Sequence, residues 1–151
     1  MIATIQPNRI WDKDKAKPNR LMTKWGEALL NSENPQPLPE YPRPQLVRDN
    51  YTILNGFWRY AFTKCEETPL QWDGEILVPF SPETILSGVE RQLMPNEYLW
   101  YERDFEIGEI KGHLILHFGA CDERCKVYVN NRQVGRHSGG YQSFSMDIRI
   151  M

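Results

Sequence analysis

The chain has 151 residues, 40% of them hydrophobic and 25% charged, which is enough to form one globular domain with a sizeable core. Its formal net charge of -2 argues against nucleic-acid binding, because neutralising phosphates requires clusters of Lys and Arg. No secretion signal and no long apolar run is visible, so we expect no membrane span. The three cysteines cannot all pair within the chain, and we expect free thiols in a reducing, cytoplasmic compartment.

Proline dominates the beginning of the chain. Seven of the eleven prolines lie between Pro7 and Pro44, and this density favours extended backbone over helix. We therefore predict that residues 1–44 form an extended strap on the surface, interrupted by one short helix.

The helix is predicted within MTKWGEALLN, residues 22–31. Thr23 is a suitable N-cap, and Trp25 and Leu29 fall on one side at helical spacing, with Leu30 as a further candidate for that side. Nothing else in the strap has helical periodicity, so one helix is the expectation.

From Leu54 onward the pattern changes to short segments of period two, separated by Gly, Pro, Asn and Asp. The predicted strands are 56–62, 74–80, 98–107, 113–119, 126–130, 132–135 and 144–150. Asn130 and Asn131 predict a tight hairpin, because asparagine tolerates the positive φ of a type I′ turn. Short strands without helical crossovers predict an all-β sandwich or jelly roll over residues 45–151.

Alternation in YLWYERDFEI, residues 98–107, assigns two faces to this strand. The face expected to be mostly core carries Leu99, Tyr101, Arg103 and Phe105. A guanidinium among apolar neighbours needs a carboxylate or several carbonyls to offset desolvation, and we favour a structural ion pair for Arg103 over a substrate clamp.

Several side chains suggest chemistry without establishing it. Four carboxylates are candidates for a glycosidase-like catalytic pair. We interpret them instead as solvated charges on or beside the exposed strand face, and they are Glu97, Glu102, Asp104 and Glu106. His117, Cys121 and Cys125 have intervals of four, but this spacing does not bring them to one point, so we expect neither a metal nor a cofactor. A metal-dependent or redox protein that uses these three side chains is one of the alternative hypotheses for the function. The long loop within residues 78–100 is of the kind that often carries binding functions, but we favour a packing loop without a ligand.

Four stretches, in order, resemble the N-terminal sugar-binding domain of family 2 glycoside hydrolases, the β-galactosidase and β-glucuronidase group. They are YPRPQLVRDNYTILNGFWRYAF (41–62), ILVPFSPETILSG (76–88), LWYERDFEI (99–107) and LHFGACDERCKVYVNNRQVGRHSGGYQSFSMDI (116–148). The resemblance implies a galactose-binding-like jelly roll that precedes an immunoglobulin-like sandwich and a catalytic (β/α)₈ barrel. Such a barrel takes about 250 residues, so the family's two catalytic glutamates lie outside this chain.

The resemblance also implies that the sequence is a fragment of a longer retaining glycosidase, cut before the last strand or strands of its sandwich. Its expected partners are the remaining domains of that enzyme and a carbohydrate. A missing strand leaves an open sheet edge, through which we expect the chain to self-associate.

The main alternative is an autonomous carbohydrate-binding module, in which an exposed aromatic stacks on the sugar while polar groups bind its hydroxyls. The candidate substrate-binding residues are Tyr98, Trp100, Tyr141, Arg91, Asn96 and His137. We interpret the loop formed by Gly139, Gly140 and Tyr141 mainly as a sharp turn that closes one end of the sandwich.

Overall fold

Antiparallel strands account for most of the regular structure in the computed structural model, which describes residues 22–109 and 112–148. The elements in these ranges are α1 (Lys24–Leu30), β1 (Gly56–Thr63), β2 (Gly74–Val78), β3 (Tyr98–Glu102), β4 (Ile115–Phe118), β5 (Arg124–Val129), β6 (Arg132–Ser138) and β7 (Phe144–Asp147), with short 3-10 turns at Pro44–Leu46 and Ile85–Ser87. All seven predicted strands are present, and the all-β class with one short helix is confirmed. The chain divides into two units, one ending at Asp104 and one beginning at Phe105.

A three-stranded sheet in the order β2-β1-β3 forms the centre of the first unit. Both neighbours run antiparallel to β1, with Trp58 opposite Ile76 and Ala61 opposite Trp100. Ile76 and Leu77 are both 0% exposed. Since successive residues of a strand point to opposite faces, β2 is covered on both sides.

Helix α1 begins where the sequence predicts it. The Thr23 side chain accepts a hydrogen bond from the Gly26 amide at 3.1 Å, so the predicted N-cap is confirmed. Trp25, however, is 69% exposed, with Lys24 Nζ lying 4.6 Å from its ring centroid. Leu29 and Leu30 are half-buried, so Trp25 does not share their packing.

The described part of the proline-rich segment contacts the beginning of β1. Pro35 and Pro37 are buried, and the Asn55 side chain donates a hydrogen bond to the Pro37 carbonyl at 3.0 Å. Residues 1–21 of the predicted strap lie outside the described residues.

The prediction for the strand at 98–107 is wrong at its second half. β3 ends at Glu102, and the expected core residues Tyr101 and Phe105 are each 39% exposed. β3 pairs with β1 alone among the described strands, so it lies at the edge of its sheet. Period two predicted which residues share a face, but not whether a second layer covers that face.

The second unit contains two strand pairs, β4-β7 and the β5-β6 hairpin. Asn130 and Asn131 have φ values of 48° and 64°, which confirms the predicted turn between β5 and β6. The pairs contact each other where His137 stacks on Phe144, with ring centroids 4.1 Å apart. Within the described ranges, no helix has the length and apolar character needed to cross a membrane.

Candidate functional site

The loop between β2 and β3 is held by hydrogen bonds within itself. Ser87 is 0% exposed, and its hydroxyl lies 2.7 Å from the Thr84 carbonyl and accepts from the Val89 amide at 3.0 Å. The Arg91 amide donates to the Pro82 carbonyl at 2.9 Å, which closes the loop on itself. This loop is therefore a folded structure that can position side chains.

Arg91 is the cation that this loop places on the sheet. Its guanidinium lies 3.8 Å from the ring centroid of Phe62 and 2.6 Å from Glu97 Oε1. Asn96 is exposed in the turn that the hydrogen bond from the Glu97 amide to the Met94 carbonyl closes. Because Glu97 already neutralises Arg91, the arrangement suits hydroxyl recognition better than capture of an anion.

Tyr60 belongs to the same face as Phe62, since the two residues alternate along β1. Their rings meet edge to face with centroids 5.8 Å apart. Burial and the nearby Asp73 carboxylate raise the pKa of the Tyr60 phenol, while Arg91 acts to lower it. This face therefore presents a neutral phenol beside the pair of Arg91 and Glu97.

Tyr98 and Trp100 lie on the opposite face, where their partners on β1 are Thr63 and Ala61. Trp100 is half-buried, and its indole N–H donates to Thr63 Oγ1 at 3.0 Å. Tyr98 is 43% exposed. The sheet thus brings Tyr98 and Trp100 together and separates both from Arg91.

His137 and Tyr141 belong to the second unit. The His137 ring stacks on Phe144, and its Nε2 lies 3.1 Å from the Gly139 carbonyl, so this imidazole already has packing and hydrogen-bonding partners. Tyr141 is 100% exposed. Of this pair, only Tyr141 offers an open aromatic surface.

The candidate metal ligands do not converge in the structure. His117 Nδ1 lies 2.6 Å from Ser145 Oγ, whereas Cys121 hydrogen-bonds to Cys125. Burial first, and then Cys125, raise the pKa of the Cys121 thiol to about 12. Among residues 22–109 and 112–148 no group of three His, Cys, Asp or Glu side chains is arranged to hold a metal ion.

Sequence reasoning missed a polar cavity of about 310 Å³ beside the beginning of β1. Its lining consists of Asn34, Pro35, Gln36, Asn55, Gly56, Phe57 and Arg103. Only Arg103 carried a signal in the sequence, as a cation on a largely apolar strand face. Arg103 Nη1 donates to the carbonyls of Leu54 and Asn55 at 2.7 and 3.0 Å, so carbonyls take the place of the expected ion pair.

Comparison with known proteins gives no match to a family model. The chain is 27% identical over 109 residues to a β-glucuronidase from Streptococcus agalactiae, an alignment that covers 70% of the chain and 18% of that enzyme. It is 43% identical over 51 residues to a β-galactosidase from Thermoanaerobacter pseudethanolicus, covering 32% of the chain and 7% of that enzyme. The chain therefore spans less than a fifth of either curated relative, and the similarity supports a protein related to glycosidases.

Proposed function

We propose that this chain is a non-catalytic, N-terminal sugar-binding or accessory domain of a family 2 glycoside hydrolase. The observation that carries the proposal is the combination of an antiparallel all-β chain with similarity to a small part of two large glycosidases. In this proposal residues 45–151 are the jelly-roll domain and residues 1–44 are its strap. The parent enzyme hydrolyses terminal β-glycosidic bonds with retention, using two glutamates of its barrel.

The domain's role in this proposal is to support and partly wall the active site of the barrel. Exposed Tyr98 and Tyr141 are the aromatic surfaces available for a sugar or for a neighbouring domain. In this proposal Arg91 and Asn96 of the folded loop bind hydroxyls, whereas the hydrogen bonds of Trp100 to Thr63 and of His137 to the Gly139 carbonyl already occupy the indole N–H and the imidazole Nε2 of these two rings.

An autonomous carbohydrate-binding module is the second candidate. Tyr98 favours it, because this exposed aromatic lies on an accessible sheet face next to the half-buried Trp100. Sugar sites commonly use such a platform beside polar groups. A glycan-binding screen of the isolated chain, with Tyr98→Ala as the comparison, tests this alternative. Binding that Tyr98→Ala abolishes supports it, and no binding to any glycan excludes it.

The main proposal is tested by comparing this chain with the complete product of its natural reading frame. We expect the chain alone to leave nitrophenyl β-galactoside and β-glucuronide intact, and the complete product to hydrolyse at least one of them. NMR of the freshly released sugar should show retention of the anomeric configuration. Hydrolysis by the chain alone, or a natural product that ends at Met151, would contradict the accessory role.

A further inference from the structure

The cavity beside β1 is formed entirely within the first unit. One wall is the chain around Gln36 and the other is the beginning of β1 together with Arg103. The hydrogen bond of 3.0 Å from the Asn55 side chain to the Pro37 carbonyl holds the two walls together. The volume of the cavity, about 310 Å³, is at the lower end of the range typical of small-molecule sites.

Arg103 supplies the charge of this cavity. A guanidinium has five N–H groups, and the carbonyls of Leu54 and Asn55 engage those of Nη1. Within the described residues the Nε and Nη2 groups of Arg103 have no hydrogen-bond partner and no carboxylate neutralises the cation. Burial lowers the pKa of Arg103, because partial desolvation disfavours the charged guanidinium.

Gly56 permits this placement of the guanidinium. Its φ of 123° is strained for any residue with a side chain, and a Cβ there would lie 3.2 Å from Arg103 Nη1. The absence of a Cβ leaves room for Nη1 to bind the backbone carbonyls of Leu54 and Asn55. The guanidinium is therefore fixed before any ligand arrives, which favours bidentate recognition of a carboxylate.

The remaining lining is suited to a hydroxylated ligand. Side-chain amides come from Asn34, Gln36 and Asn55. An amide both donates and accepts hydrogen bonds, as sugar hydroxyls require, while Pro35 and Phe57 add apolar surface for a ring face.

We propose that this cavity binds a carboxylate-bearing monosaccharide, a hexuronate, with its carboxylate on Arg103 and its hydroxyls on the surrounding amides. The proposal concerns this cavity of the chain itself and does not depend on the reaction of the parent enzyme. It assigns a ligand to residues other than Tyr98, Trp100, Arg91 and Asn96.

The test is a titration of the isotopically labelled chain, followed by NMR, with sodium glucuronate and with glucose at equal ionic strength. These sugars share a ring and differ in the group at C6, so the comparison isolates the carboxylate. We expect saturable shifts of the Gly56 amide and the Arg103 Nε–H with glucuronate, and binding of glucose weaker by about tenfold or more. Equal binding of both sugars, or shifts that never saturate, would overturn the proposal. Acetate binding as tightly as glucuronate would overturn the sugar part of it.

A matched pair of variants locates the binding. Gln36→Glu introduces a carboxylate of the same shape into the cavity, where it competes with the ligand for Arg103. Gln71→Glu makes the same change at an exposed position outside the cavity. Gln36→Glu should weaken glucuronate binding about tenfold or more, and Gln71→Glu should leave it unchanged. Neither change removes the hydrogen bonds of Arg103 to the backbone. The dispersion of the amide signals in the NMR spectrum shows whether each variant is folded. Equal affinity of the two variants contradicts the assignment.

Discussion

At the scale of single residues, Gly140 shows how closely the loop after β6 is packed. A Cβ at this position would lie 2.8 Å from Asp122 Cγ and 3.2 Å from Asp122 Cβ, so the Asp122 side chain would have to move. The preceding residue, Gly139, has a φ of 126° and donates from its amide to the Glu123 carbonyl at 2.8 Å. The glycines therefore serve the sharp turn that their sequence predicts, and their lack of side chains lets Asp122 close against the loop.

Gly140→Ala should destabilise the chain by about 1–3 kcal/mol, because the added methyl displaces Asp122 or the loop backbone. Gly119→Ala is the matched control in the same unit, since a Cβ there meets nothing within 4 Å. Its free energy of unfolding should stay within about 0.5 kcal/mol of the wild type. Urea denaturation of the three proteins measures the difference. Equal stability of the two variants would mean that Asp122 does not pack against the loop in solution.

Cys121 should react slowly with thiol reagents despite lying near the surface. Burial and Cys125 raise its pKa from 9.0 to about 12, and the thiolate is the reactive form. At pH 8 we expect iodoacetamide to label the exposed Cys65 well before Cys121 in the folded chain, and this order to disappear in urea. Peptide mass spectrometry at timed intervals gives the rates. Early labelling of Cys121 in the folded protein would contradict the buried thiol.

The same pKa shift fixes the sign of a pH effect on stability. In the unfolded chain the Cys121 thiol loses its proton near pH 9, whereas in the folded chain it keeps the proton to about pH 12. The contribution of this thiol to the free energy of unfolding is fully present below pH 9 and decreases as the pH rises towards 12. Cys121→Ser should therefore flatten the loss of stability over this alkaline range.

At the scale of elements, strand positions could be predicted because alternation and turn residues are local signals. Asn130 and Asn131 set a turn by their own backbone preferences, and Thr23 caps α1 by its own hydroxyl. The end of β3 could not be predicted, since it depends on which neighbouring strands pair with it. Alternation assigns Tyr101 and Phe105 to a core face, but both are partly exposed, and Phe105 lies beyond the end of β3.

Strand β2 allows a test of whether the first sheet is covered on both faces. Leu77 is 0% exposed, so Leu77→Ala removes buried methyl groups and should cost about 2–5 kcal/mol. Leu70→Ala is the control with the same chemical change, because Leu70 is 106% exposed and should contribute little. Thermal unfolding followed by tryptophan fluorescence compares them. A loss of less than about 1 kcal/mol for Leu77→Ala would indicate that β2 is not covered on that face.

At the scale of the whole molecule, the candidate sites depend on contacts between distant parts of the sequence. Arg103 could be recognised from its apolar neighbours as a cation that needs compensation, but its partner carbonyls lie about fifty positions earlier, at Leu54 and Asn55. The cavity adds Gln36 from the proline-rich segment, which carries no local sign of binding. Alternation alone places Tyr98 and Trp100 on one face of β3, and the register with β1 adds their neighbours on that face, Thr63 and Ala61.

Open sheet edges lead to a prediction about assembly. Within the described residues the sheets contain only three, two and two strands, so each ends in strands with a free side. Free edges can pair with another copy, and small sheets gain most from additional strands. We expect the isolated chain to self-associate, with a weight-average mass in sedimentation equilibrium that rises above the monomer value as its concentration increases.

Two variants distinguish pairing along an edge from general hydrophobic association. Ile115→Lys places a charge on β4, where the apolar side chain is 39% exposed, and charges on edge strands oppose pairing. Leu70→Lys removes an even more exposed apolar side chain outside the strands. Ile115→Lys should lower the association constant about tenfold, and Leu70→Lys should change it by less than about twofold. If Leu70→Lys has the larger effect, exposed apolar surface drives the association. If the wild-type chain is a monomer at every concentration, its edges do not pair in solution.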